Sequence, residues 1–186
     1  HGLLCRFKEL DSFENKERPG IVHRLDKNTS GLIVVARKRQ AQAELSDMFK
    51  NRKVHKTYLA VVSGHPDREG TIDLPVGRHP VERHKMSHVS YEGREALTTY
   101  RVLAYYRDCS LVAVTIHTGR THQIRVHFAA IGHGLMGDGV YGKVSKKINR
   151  QALHAWKLSF EYLGCEYSYC VPVPEDYICF LKSLKR

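Results

Sequence analysis

The sequence predicts an α+β fold, a mixed and largely antiparallel sheet with helices set between its hairpins. Stretches with period-two apolar alternation come in pairs separated by short turns, whereas only a few segments carry a helical period. A length of 186 residues, 42% of them hydrophobic, supplies one domain with a real core and is too short for two comfortable ones. Strand content outweighs helix, and the hairpin pattern favours antiparallel pairing.

The elements follow in order. The first twenty residues are polar and charged, punctuated by Arg18-Pro19-Gly20, and read as a loop or short helix. Leu32-Ile33-Val34-Val35-Ala36 is an apolar run with the length of a buried strand. Over 37–52, Ala41, Leu45, Met48 and Phe49 fall at i, i+4, i+7 and i+8, an amphipathic helix with a cationic solvent face. Residues 54–62 alternate, with Val54, Tyr58, Ala60 and Val62 on a face whose polar member is Lys56, and Leu59 and Val61 opposite. Gly64 and Pro66 end that strand.

Residues 78–94 are strongly basic without a sustained period, as in a surface loop or loose hairpin. Residues 97–107 and 110–117 are strand-like around Asp108-Cys109, so a tight hairpin is the simplest connection. Thr121 is placed to cap a helix running to Ile131, with Ile124, Phe128 and Ile131 as its buried stripe and Gly132 as the stop. Residues 152–162 and 166–171 make another strand pair around Gly164. Pro172 and Pro174 then break the sheet, and 175–184 closes the chain as a short helix. No internal repeat is present.

Thirty Lys and Arg against nineteen Asp and Glu, a formal charge of +11, favour an anionic partner, nucleic acid first, over a merely solvated basic surface. No apolar stretch approaches a transmembrane length and no signal-peptide order opens the chain, so a soluble, intracellular, cytoplasmic protein is expected. Five cysteines without a CxxC pair suggest reduced packing residues rather than disulfides or a thiolate zinc site. His1 in place of an initiator Met is what a fragment would show.

The most informative stretch is His23-Arg24-Leu25-Asp26-Lys27-Asn28-Thr29-Ser30-Gly31, a carboxylate at a turn entering an apolar run. With Thr29-Ser30-Gly31-Leu32, Lys56-Thr57-Tyr58-Leu59-Ala60, Gly119-Arg120-Thr121-His122-Gln123-Ile124-Arg125-Val126-His127, Gly137-Asp138-x-x-Tyr141-Gly142 and Leu153-His154-Ala155, the chain resembles the RluA-type RNA pseudouridine synthases over residues 17–160. The resemblance implies one catalytic domain over 1–186. A preceding strand with a Lys-Pro-x-Gly turn and the S4-type RNA-binding domain of many members are not found in it. Glu92-Gly93-Arg94-Glu95-Ala96 departs from the family's usual Gly-Lys-Pro-Ala.

The resemblance assigns the chemistry. Converting uridine to pseudouridine breaks the C1′–N1 bond and joins C1′ to C5 without net oxidation, so no cofactor and no metal is expected. Asp26 is implied as the nucleophile and Arg120 as its ion-pair partner, where a guanidinium and a helix N-terminus would favour the anion. Tyr58 is implied to stack on the flipped uracil and accept its C5 proton. Arg24 would fill the gap left by the extruded base, unless it is a surface arginine paired to Glu14 or Glu17. His23 is either an RNA contact or a packing residue. Arg78, Arg83 and Lys85 would grip phosphates, and Leu158 and Ile124 would wall the uracil pocket.

Other readings compete. His117, His122 and His127 recur every five residues, which does not stack ligands on one helical face, so a metal-dependent hydrolase is disfavoured. An inactive RNA-binding module on the same fold would not require Asp26, Tyr58 and Arg120 together. A glycosidase needs two carboxylates, and Asp138, in Gly137-Asp138-Gly139, reads more readily as a turn residue. The expected partner of a monomeric enzyme is therefore RNA, large-subunit ribosomal RNA ahead of transfer RNA.

Overall fold

The computed structural model describes residues 2–7, 10 and 18–185. After a short helix α1 (Gly2–Arg6) come β1 (Ser30–Gly31), α2 (Arg39–Lys50), β2 (His55–Ser63), β3 (Glu69–Asp73), β4 (Gly77–Arg78) and β5 (Met86–Ser87). They are followed by β6 (Leu97–Tyr105), β7 (Cys109–Ile116), α3 (Gln123–Ala130), β8 (Leu153–Tyr162), β9 (Cys165–Cys170) and α4 (Glu175–Lys182). The main sheet runs β1-β8-β2-β7-β6-β3, with β9 also on β8, and β4 and β5 form a separate small hairpin. Every pairing is antiparallel except β1 with β8, which makes the sheet mixed as expected.

The alternation of β2 holds. Tyr58, Ala60 and Val62 pack with Val112, Val114 and Leu153 beneath Ile124 and Phe128 of α3. Leu59 and Val61 lie with Tyr177 and Phe180 of α4 in a second core. Helix α2 covers the end of β8 through Leu45, which clusters with Val54, Leu158 and Phe160. The sheet is thus buried on both faces across its centre, which a continuous apolar run such as Tyr58–Val62 requires.

Two expectations fail. The run Leu32–Ala36 is not a sheet strand: the ladder with β8 ends where Leu32 N donates to Ala155 O at 2.9 Å. Gly31, at φ 116°, then turns the chain off the sheet, and a Cβ there would strike the Ala155 backbone. The run pairs instead with the segment before the motif, through the Ile21–Val35 bridge and Ala36 N donating to Gly20 O. Secondly, Thr121 does not cap α3; the helix begins after His122, a left-handed residue at φ 57° whose side chain makes no cap bond. Strand β3, which the sequence reading passed over, adds the far edge of the sheet.

Candidate active site

Asp26 opens a tight turn in which Thr29 N donates to Asp26 O at 3.0 Å, and Asn28 takes the left-handed conformation at φ 70°. The turn is gripped from behind by the residues preceding β8. Gln151 Nε2 donates to Lys27 O at 2.6 Å and to Thr29 Oγ1 at 3.1 Å, and Arg150 Nη1 donates to Asn28 O at 3.2 Å. Arg150 is itself held in a two-pronged pair by Asp176 of α4, Nε to Oδ2 at 2.6 Å and Nη2 to Oδ1 at 3.1 Å. The backbone carrying Asp26 is therefore tied to the sheet and to the last helix, which limits the drift of its carboxylate.

The cation at Asp26 is Arg125, not Arg120. Arg125 Nη1 lies 3.4 Å from Asp26 Oδ2, while its Nε and Nη2 donate to the two oxygens of Asp138 at 2.6 and 3.0 Å. Arg120 precedes the helix, and its Nε donates to Glu95 O at 2.9 Å. The reason is the late start of α3. Gln123 accepts from Thr118 Oγ1 and Arg120 N and donates to Leu97 O and Thr98 Oγ1, pinning the approach to the helix against the sheet. The first helical turn then carries Arg125 inward.

Asp138 serves both as the turn residue expected, accepting from the N–H groups of Val140 and Tyr141, and as the main partner of Arg125. Its side chain is 1% exposed. Burial is the largest influence and would raise its pKa, but the hydrogen bonds from Arg125, Val140 and Tyr141 and the Arg125 charge together outweigh it and hold the pKa below the ordinary value. Burial likewise acts to lower the Arg125 pKa, and Asp138 and Asp26 together raise it. Below the guanidinium, 4.8 Å from it, lies the Tyr141 ring. Tyr141 Oη accepts from Met86 N and shares a hydrogen bond with His122 Nδ1, both 2.8 Å, so the β4–β5 hairpin is docked onto the same cluster.

Above Asp26 opens a cleft of about 550 Å³, counting its mouth, lined by Arg24, Leu25, Asp26, Tyr58, Ile116, Arg120, Ile124 and Leu153 among others. Tyr58 is 8% exposed; burial first, and then the Asp26 charge, push its phenol well above the ordinary value. Ile124 lines this cleft. Leu158 does not, because β8 carries an extra residue opposite the Thr57/Tyr58 step. That slip sets Ala155 against Tyr58 and Leu158 against Lys56, so Leu153 faces the cleft while Leu158 packs under α2.

These features coincide with a known family. A family model described as RNA pseudouridylate synthase matches residues 3–130. The chain belongs to that family. It is 42% identical over 199 residues to the ribosomal large subunit pseudouridine synthase D of Nitrosomonas europaea, covering all of this chain and 58% of that protein. To the protein of the same name from Escherichia coli it is 39% identical over 184 residues, 90% of this chain and 56% of the relative. The chain thus spans somewhat over half the length of these relatives. Among solved structures, human RNA pseudouridylate synthase domain containing 4 superposes with a TM-score of 0.76 at 26% identity, over all of this chain and 86% of that one. Human RNA pseudouridylate synthase domain containing 1 gives 0.74 at 35% identity, over 82% of this chain and 68% of that one.

Within this pseudouridylate synthase domain the remaining expected residues separate. Arg24 is exposed at the cleft, and its alternative partners Glu14 and Glu17 lie outside the described residues. His23 is a packing histidine. Its Nε2 accepts from Val34 N at 2.8 Å, its ring stacks on Phe49 at 4.4 Å, and burial followed by the Lys56 charge lowers its pKa to about 4. A neutral ring serving as acceptor for a strand-like backbone is not poised to grip phosphate.

Arg78, Arg83 and Lys85 sit in the hairpin that Tyr141 docks; Arg78 Nη1 donates to Arg83 O, and Lys85 pairs with Glu82 at 2.8 Å. The three spaced histidines diverge, His117 to Thr99, His122 to Tyr141 and His127 to Leu74 O, and no metal-binding cluster exists among the described residues. Sequence reasoning missed Arg125, Arg150, Gln151 and Asp176. Arg125 and Asp138 stood in two of the motif blocks, and a basic and an acidic residue in separate blocks are a pairing signal; nothing local marks the other three.

Proposed function

We propose that this chain isomerises uridine to pseudouridine in structured RNA, with large-subunit ribosomal RNA as substrate and Asp26 as the nucleophile. The observation that carries this is a carboxylate at the floor of an open cleft, paired to a buried arginine and facing a buried tyrosine. The names of the two bacterial relatives support the choice of RNA.

In this reading the target uridine leaves its stack and enters the cleft between Tyr58 and the Leu25, Ile116, Ile124 and Leu153 walls, while Arg24 takes the vacated space. Arg125 aims Asp26 without fully satisfying it, since its better hydrogen bonds go to Asp138. Asp26 assists cleavage of the C1′–N1 bond; the uracil turns, and C5 bonds to C1′. The C5 proton must then leave. Burial and the Asp26 charge keep the Tyr58 proton on its oxygen, so Tyr58 acts as a relay. It takes the C5 proton as its own passes to the Asp26 carboxylate, free again at that stage. Arg78, Arg83 and Lys85 hold the RNA backbone from the docked hairpin.

The test is tritium release from RNA labelled at uridine C5, with ribosomal and transfer RNA compared. The unsubstituted protein is expected to release tritium from ribosomal RNA, and Asp26→Asn to bind RNA without release. Release by Asp26→Asn removes the nucleophile assignment, and preference for transfer RNA removes the substrate assignment.

A further inference from the structure

Beside the Asp26 cleft lies a second and wider trough, about 1020 Å³ with its mouth, on the sheet face between α2 and the loop that follows β7. The two depressions share Arg24, Tyr58, Ile116, Gly119 and Arg120, so a chain molecule placed in one continues into the other. Lysines, arginines and histidines line the trough, and among the described residues no Asp or Glu does. One of its cations, Arg52, is already paired to Glu95 at 3.0 Å.

Lys56 is different in kind. It projects from the floor of the trough on the same face of β2 as Tyr58, two residues away, and is 8% exposed. Among the described residues its ammonium has neither an ion pair nor a hydrogen bond; it lies 5.6 Å over the Phe49 ring. The stem is largely buried while the nitrogen still reaches the trough, and partial burial without a counter-ion lowers the Lys56 pKa at a cost in free energy. A Phe ring offsets only part of that cost.

We infer that the trough binds the RNA strand flanking the target uridine, and that Lys56 takes one backbone phosphate of that strand as its counter-ion. This rests on the reading of the chain as an RNA pseudouridine synthase. The phosphate seated at Lys56 is close in the chain to the base stacked on Tyr58, because both side chains rise from one strand face. Lys56 thus sets the register of the strand, while the exposed Arg24 and Lys50 add attraction that depends on salt.

The experiment measures binding of a short fluorescein-labelled oligouridylate by anisotropy over a range of KCl, with Asp26→Asn protein so that no turnover intervenes. Adding Lys56→Met, which keeps the unbranched stem, is expected to weaken binding about tenfold to a hundredfold. It should also flatten the dependence of log Kd on log salt by about 0.7, one single-strand phosphate. Lys56→Arg should keep the slope. Unchanged affinity and slope in Lys56→Met overturn the inference.

A second measurement does not depend on how the variant folds. Neutral methylphosphonate linkages are moved one at a time along the oligouridylate and tested against protein with Lys56 intact. Loss of affinity confined to one linkage near the bound base supports the site, and uniform small losses overturn it. Neither readout uses turnover, so tritium release by the unsubstituted protein judges the synthase reading separately.

Discussion

Replacing Arg125 by Met separates the two carboxylates that share it. Asp138 loses both prongs of its fork at a position where its side chain is 1% exposed. Breaking a buried ion pair from one side costs about 3–5 kcal/mol, and Asp138 keeps only its bonds from Val140 N and Tyr141 N. In a domain of this size each kcal/mol moves Tm by about 2–4 °C, so Arg125→Met should melt about 6–20 °C below the parent. Asp26 loses its only cationic partner among the described residues, and tritium release should fall about 100- to 1000-fold.

The double variant Arg125→Met/Asp138→Asn removes the stranded charge, so it should recover most of the stability and none of the activity. The pH dependence has a definite sign. In the parent the Asp138 pKa is depressed, so its contribution is present above the ordinary carboxylate range and lost as pH falls through the lowered value. In Arg125→Met burial is opposed only by the Val140 and Tyr141 N–H groups, so that pKa rises from its parental position and the penalty appears as pH rises. The gap in Tm between the two proteins should therefore narrow on acidification below about pH 4. An Arg125→Met protein with parental tritium release and a Tm within about 2 °C of the parent would refute this account.

Gln151→Leu removes the two amide bonds to the Asp26 turn, so kcat should drop about tenfold or more with KM within about twofold; a rise in KM with unchanged kcat would assign Gln151 to RNA binding instead. Tyr58→Phe keeps the buried ring and its packing, so Tm should shift by no more than about 1 kcal/mol equivalent while tritium release is lost. Normal multiple turnover by that variant would remove the hydroxyl from proton transfer. Because His23 is held at about 4, the folded protein binds fewer protons than the unfolded chain between about pH 6.5 and 4, and stability falls as pH drops through that window. His23→Gln, which can still accept from Val34 N, should flatten this part of the pH–Tm curve; an unchanged curve would show that His23 is not buried neutral.

Much of the fold was legible because its signals are local. The alternation of Tyr58, Ala60 and Val62 against Leu59 and Val61 names two faces, and the structure buries those faces in two cores. The spacing of Ala41, Leu45, Met48 and Phe49 places α2 to within two residues at each end. By contrast, Leu32–Ala36 has the composition of a strand, and its fate turns on Gly31 at φ 116°, which sends it toward residues 20–23. Leu158 obeys the alternation of its own strand until one extra residue in β8 changes the parity. A bulge depends on the partner strand, so the pattern within β8 alone does not reveal it.

By itself the sequence determined the family, the α+β class, the turn that presents Asp26 and the placement of Tyr58 on a sheet face, all set by residues near one another in the chain. The tertiary structure decided which arginine serves Asp26. Arg120 and Arg125 are both plausible in one motif block, and a left-handed His122 with Gln123 bonded across to β6 turns only the second inward. It also recruited Asp138, Gln151, Arg150 and Asp176 around the carboxylate and set Lys56 at the floor of the trough with no ion pair among the described residues. Pairing of charges across about a hundred residues depends on burial and orientation, and those exist only once the sheet and its helices have packed.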